Sequence, residues 1–165
     1  MAMSDWPEDA TIQRFSDATS SHGVMVFAEM VDGALLNVGR ELMGPGREMA
    51  DQLGVSLTAI LIHHDVGSAP QDLISLGADK VVVVSDPRLE HFTTLPFTRA
   101  LSDYLVNVHR PEILLMGATT TGRDLAPRVA SRVDAGVTAD CTKLSVGPFY
   151  HRKTKTVTTH MLEAH

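Results

Sequence analysis

A chain of 165 residues with 44% apolar and 21% charged side chains has the size and composition of one globular domain with a sizeable core. Its net charge of −6 argues against nucleic acid as the main partner, because phosphate contacts want a basic face. No apolar run approaches the roughly 20 residues of a membrane span, and the acid-containing N-terminus is neither a secretory signal nor a transit peptide. One cysteine, Cys141, excludes an internal disulfide framework and suits a reducing compartment, so the expected setting is the cytoplasm.

Residues 1–22 are polar and read as an N-terminal arm, either loose or pinned by Trp6 and Phe15 onto the body or onto another subunit. Val24 to Glu29 reads as the first strand, and Asp32-Gly33 as a turn. Apolar residues then recur at helical spacing from Leu36 to Leu53, interrupted by Gly44-Pro45-Gly46. Pro45 removes a helix hydrogen bond and should bend or split that segment, while Gly54 suits a left-handed cap. Leu57 to Ile62 is the second strand, followed by His63-His64-Asp65; adjacent strand residues face opposite ways, which favours a polar strand end over a metal site.

A short helix over Pro70–Leu76 leads to Val81–Val84, whose unbroken β-branched run predicts a strand buried on both faces. A helix from Thr93 to Val108 then delivers the chain to a central buried strand, Pro111–Met116. Strand and helix alternate about every 30 residues, which predicts a doubly wound, mostly parallel sheet with helices on both faces. Gly136–Leu144 reads as a further strand, and the threonine-rich stretch from His151 as an exposed edge strand forming a hairpin with it. The stop at Ala164-His165, without a capping signal, reads as a cut piece.

After the Pro111–Met116 strand comes Gly117-Ala118-Thr119-Thr120-Thr121-Gly122-Arg123-Asp124-Leu125-Ala126-Pro127-Arg128, a strand–loop–helix junction of the kind where open parallel sheets meet ligands and partners. The threonine hydroxyls and the first free helix N–H groups converge there. A proline in a helix body costs about 3 kcal/mol, so Pro127 should lie in the first turn. That places the helix start near Arg123 or Asp124 and leaves Thr119 to Thr121 in the loop. The candidate contact residues are Thr119, Thr120, Thr121, Gly122, Arg123 and Asp124. No dinucleotide, P-loop or nucleophile-elbow fingerprint occurs, no catalytic residue stands out, and Cys141 reads as a buried, inert thiol.

The run from Gly117 to Ala130, followed by Gly136-Val137-Thr138-Ala139-Asp140-Cys141-Thr142, resembles the alpha subunit of electron transfer flavoprotein, and the likeness extends over residues 23–163. The resemblance implies an adenine nucleotide alpha hydrolase-like domain over residues 23–165. It implies a partner beta subunit holding AMP or a second FAD, and an FAD-binding carboxyl-terminal domain absent from this chain. It implies electron transfer between a dehydrogenase and a ferredoxin or quinone reductase, in an ordinary or an electron-bifurcating complex. On that likeness the Thr119–Arg123 loop faces the beta subunit. Arg123 there either influences its flavin or nucleotide or merely caps and ion-pairs within its own helix. A different reading keeps the fold and makes the chain a nucleotide-binding module of the stress-protein type.

Overall fold

The computed structural model describes residues 22–139, 141, 144–151 and 156–164. Four strands form one parallel sheet: β1 (Val24–Phe27), β4 (Leu57–Ile62), β5 (Lys80–Val84) and β6 (Ile113–Leu115), in the spatial order β5-β4-β1-β6. Between β1 and β4 the chain makes a two-residue hairpin, β2 (Met30–Val31) and β3 (Ala34–Leu35). It turns on Asp32 and Gly33, both at positive φ (50° and 76°), which an Asp-Gly pair tolerates. Four helices complete the layers: α1 (Asn37–Leu53), α2 (Ala69–Ser75), α3 (Thr94–Asn107) and α4 (Thr120–Val133).

Side-chain alternation along the strands feeds two separate cores. Val24, Val26, Ala28, Leu57, Ala59 and Leu61 pack with Met43, Met49, Ala50 and Leu73 of α1 and α2. Met25, Phe27, Ile60 and Ile62 face the other way, against Phe97, Leu101, Leu105, Leu125 and Val129 of α3 and α4. The doubly wound sheet with helices on both faces is therefore present.

Two expectations about strand position fail. The valine run of β5 lies on a sheet edge, with Val83 41% exposed, and β6 lies on the opposite edge rather than at the centre. The middle strands are β4 and β1, whose residues are buried throughout. An apolar run signals a parallel strand covered by helices, but the order of strands follows from connections that no single run encodes.

Neither proline breaks its helix. α1 runs unbroken through Pro45, because Gly46 sets the helix down on the sheet: a Cβ there would stand 3.0 Å from Val26 Cγ2 and 3.1 Å from Leu57 Cδ1. Close packing outweighs the lost backbone bond. The expected left-handed cap is found at Gly54, with φ 67°. Gly136 to Ala139 have no regular structure, contrary to the strand expected at 136–144. The next strand, β7, opens at Leu144 and runs to His151. It pairs antiparallel with β8 (Thr156–Ala164), so a hairpin involving the threonine-rich stretch does form, one step later in the chain. Leu144 and Val146 pack on the α1 side of the core. The N-terminal arm with Trp6 and Phe15, and residues Asp140, Thr142 and Lys143, lie outside the described residues.

Arg47 of α1 ties this face together. It donates to Asp79 Oδ2 at 2.8 Å, pairs with Asp51 Oδ1 at 2.8 Å and reaches the Gly77 carbonyl at 3.3 Å. Asp79 also accepts from the Leu57 amide at 2.8 Å, and that amide, then Arg47, hold its carboxyl below the usual value of 3.8. A carboxyl lowered by folding stabilises the fold above its unfolded pKa, and the gain is lost as the pH drops below that value. Half exposure of Asp79 keeps the effect modest. We expect Asp79→Asn to lower unfolding free energy by about 1 kcal/mol at neutral pH. In urea titrations at a series of pH values, the gap between variant and wild type should close below pH 3.8.

Candidate functional site

Strand order reverses direction between β1 and β6: the chain winds from β1 toward β4 and β5, then crosses back to β6. The crevice outside the carboxyl ends of those two strands is the switch point of an open α/β sheet. Glu29 follows β1 and the Gly117–Arg123 segment follows β6, so 90 residues of sequence separation collapse into direct contact here.

Thr119 is the N-cap of α4. Its Oγ1 accepts from the Gly122 amide at 3.0 Å and donates to Glu29 Oε1 at 2.5 Å, so one hydroxyl serves both the helix end and the carboxylate. Thr121 stands close by, and its hydroxyl helps to favour the charged form of Glu29. The Glu29 side chain is 3% exposed, and burial pushes its carboxyl above the ordinary 4.5 while the two threonine hydroxyls pull the other way. Its own carbonyl accepts from Leu36 at 2.9 Å, anchoring it to the far end of the β2–β3 hairpin.

The helix therefore begins at Thr120, three to four residues before the expected start, and Pro127 occupies its interior. The strength of the Thr119 cap explains this: with Glu29 behind it, the first turn forms around Thr120–Gly122 whatever lies seven residues on. Asp124 is consequently past the first turn. It accepts from Thr94 Oγ1 at 2.6 Å and Arg128 Nε at 2.9 Å, bracing α4 against the start of α3, and those bonds lower its carboxyl pKa.

The six candidate residues thus divide. Thr119, Thr121 and Gly122 turn inward on structural tasks; Thr120 and Arg123 are exposed, and with Ala118, Pro127 and Arg128 they make one outward face of the α4 entrance. Arg123 Nε donates to the Ala118 carbonyl at 3.2 Å, across the same turn. Glu29 itself was not singled out by sequence, where it looks like the polar tail of a strand. Cys141 is half-buried rather than enclosed, its Sγ 3.7 Å from the Thr138 carbonyl. His63 is buried with Nδ1 against the Asp65 backbone, whereas His64 is exposed. Among the described residues no group of three His, Cys, Asp or Glu side chains is arranged to hold a metal ion.

Beside Glu29 lies a cleft of about 130 Å³ whose lining combines Phe27, Phe92 and Phe97 with Glu29, Asp32 and Glu90. Small-molecule and cofactor sites start at about 300 Å³, more than twice this volume. Three carboxylates would repel a phosphate, and the α4 N-terminus that could attract one is already turned on Glu29. The residues gathered at this edge do not fit FAD or AMP. No helix among the described residues is long and apolar enough to cross a membrane.

Comparison with known proteins agrees with this architecture. Residues 24–164 match the model of the electron transfer flavoprotein domain. The chain is 51% identical, over 75% of its length, to electron transfer flavoprotein subunit alpha of Clostridium acetobutylicum. It is 47% identical, over 74% of its length, to protein FixB of Rhizobium meliloti, and 41% identical, over 79%, to the acryloyl-CoA reductase electron transfer subunit beta of Anaerotignum propionicum. These alignments cover 37%, 36% and 35% of the respective relatives, so the chain spans little more than a third of each. With the family model covering most of the chain and the expected sheet beneath it, this protein belongs to the electron transfer flavoprotein domain family.

Proposed function

We propose that this chain is the amino-terminal domain, residues 23–165, of an electron transfer flavoprotein alpha subunit. In this reading it packs on a beta subunit and supports a mobile flavin domain. The full heterodimer carries electrons through FAD from a dehydrogenase to a ferredoxin or quinone reductase in the cytoplasm, with AMP or a second FAD held by the beta subunit; electron bifurcation belongs to the second case. FAD of the alpha subunit is held mainly by residues outside this chain.

The observation that carries the docking role is the exposed face at the α4 entrance. Thr120, Arg123 and Pro127 recur at three- and four-residue spacing on one side of a helix whose own N-terminus is satisfied from within. Such a face offers a partner both shape and charge. The β7–β8 ribbon supports the same reading, since a two-stranded hairpin outside the main sheet gains stability when another surface covers it.

Co-production with the beta subunit tests this. The full-length alpha chain should copurify with it as a one-to-one complex, and Arg123→Ala should weaken the complex by about tenfold if the guanidinium contributes one charge-assisted contact. An unchanged dissociation constant would remove the α4 entrance from the interface. The competing reading, a nucleotide-binding module, predicts micromolar affinity of the isolated chain for AMP or ATP. The small acidic cleft at the switch point favours no binding in that titration.

A further inference from the structure

Glu29 has two separate holds on the segment that meets the proposed partner. Its Oε1 takes the Thr119 hydroxyl at 2.5 Å, and the segment's first glycine lies against it. A Cβ on Gly117 would stand 3.4 Å from Glu29 Oε1 and 2.6 Å from Val38 Cγ2, so the backbone of Gly117 is already at closest approach. Through Thr119 the carboxylate also reaches the Gly122 amide, because the oxygen that donates to Glu29 accepts from that amide. An acid kept 3% exposed at this cost in solvation contributes less to stability than a neutral residue of the same shape would. Such residues concentrate where geometry matters more than stability.

We propose that Glu29 is a positioning residue for subunit docking: its ionised carboxylate, acting through Thr119, fixes the Gly117–Arg123 segment in the form that presents Thr120 and Arg123 to the beta subunit. This rests on the reading that the α4 entrance is the docking face. In the ionised state the Thr119 hydroxyl is committed as donor to Glu29, which leaves its lone pairs aimed at Gly122. Protonation removes the charge that orients the hydroxyl and favours the helix dipole. Burial raises this carboxyl above its ordinary value, so docking should weaken as the pH falls. Asp32, Glu90 and His91 face the same cleft and are the other groups whose titration could be felt here.

The test uses the full-length chain with its beta subunit. The dissociation constant is followed between about pH 4 and about pH 8, a range that starts at the ordinary carboxylate value. Wild type should bind about tenfold more weakly at the acidic end, the scale of one lost charge-assisted bond. Glu29→Gln, which keeps size and one acceptor, should bind at the weak level throughout, with a flat profile. Its thermal midpoint at neutral pH should equal or exceed that of wild type, because a buried amide escapes the desolvation of a buried charge. Asp32→Asn, Glu90→Gln and His91→Gln should keep the wild-type profile.

A Glu29→Gln variant that retains the wild-type pH dependence, or whose weaker binding follows a lowered midpoint, overturns the proposal. Hydrogen exchange at the Gly122 amide provides a readout independent of the partner: it should quicken in Glu29→Gln at neutral pH, and unchanged exchange overturns the positioning role. If exchange quickens while both Arg123→Ala and Thr120→Lys leave the dissociation constant untouched, the docking reading has failed instead.

Discussion

Replacing Gly122 with alanine is expected to cost about 3 kcal/mol of folding stability and to dismantle the α4 entrance, despite adding a better helix former to a helix. On propensity alone the change is favourable by about 0.5–1 kcal/mol, since glycine inside a helix is penalised for its freedom in the unfolded chain. Geometry decides otherwise. A Cβ on Gly122 would overlap the Gly117 carbonyl oxygen and stand 3.1 Å from its carbon, and both are backbone atoms that cannot rotate away. Either the Gly117–Ala118 peptide moves, breaking the Arg123–Ala118 contact, or the first turn of α4 unwinds and releases Thr119 from the Gly122 amide. Gly117→Ala makes the comparison sharp. Its shortest contacts, 2.6 and 3.2 Å, are to the two methyls of the Val38 side chain, which can shift where a backbone carbonyl cannot. Denaturant midpoints should therefore fall much further for Gly122→Ala than for Gly117→Ala. Equal losses, or a gain at Gly122, would contradict the close approach of the two glycines.

That pair also shows what sequence can and cannot disclose. Glycines at 117 and 122 flanking three threonines mark a tight strand-to-helix junction, and the junction is found where the spacing puts it. The order of strands and helices, the Asp32-Gly33 turn and the Gly54 cap are equally local, set by periodicity and by the few residues that tolerate positive φ. Glu29 is different. Nothing within ten residues of it announces a buried acid. Its meaning arises only when β1 and β6 are neighbours, a fact of topology that brings a carboxylate and a cap together across 90 positions. For the same reason the inward and outward members of the Thr119–Asp124 group could not be separated beforehand. Three threonines in a row have the same chemistry, and only the cap geometry turns Thr119 and Thr121 in and Thr120 out.

The local rule for Pro127 predicts a later helix start than the one found, and the residue leads to a prediction of opposite sign. A proline at the eighth position of α4 removes the N–H that would bond the Arg123 carbonyl. Both residues are exposed, so water can take that carbonyl and the loss is tolerated rather than absent. The helix persists because Leu125, Val129 and Val133 bury their side chains in the second core on the opposite side, and because the Thr119–Glu29 pair secures the first turn. Pro127→Ala restores the missing bond and removes the ring's clash with the preceding turn, worth about 3 kcal/mol in an exposed helix interior. It also returns freedom to the unfolded chain, which takes back about 0.4–1 kcal/mol. The variant should be about 2 kcal/mol more stable than wild type, seen as a higher urea midpoint with an unchanged slope. A loss of stability would mean that the pyrrolidine ring, on its exposed face, makes contacts that outweigh a helix hydrogen bond. The two substitutions thus bracket α4: an alanine at Gly122 fails where the helix is pressed against its own loop, and an alanine at Pro127 succeeds where it is open to water.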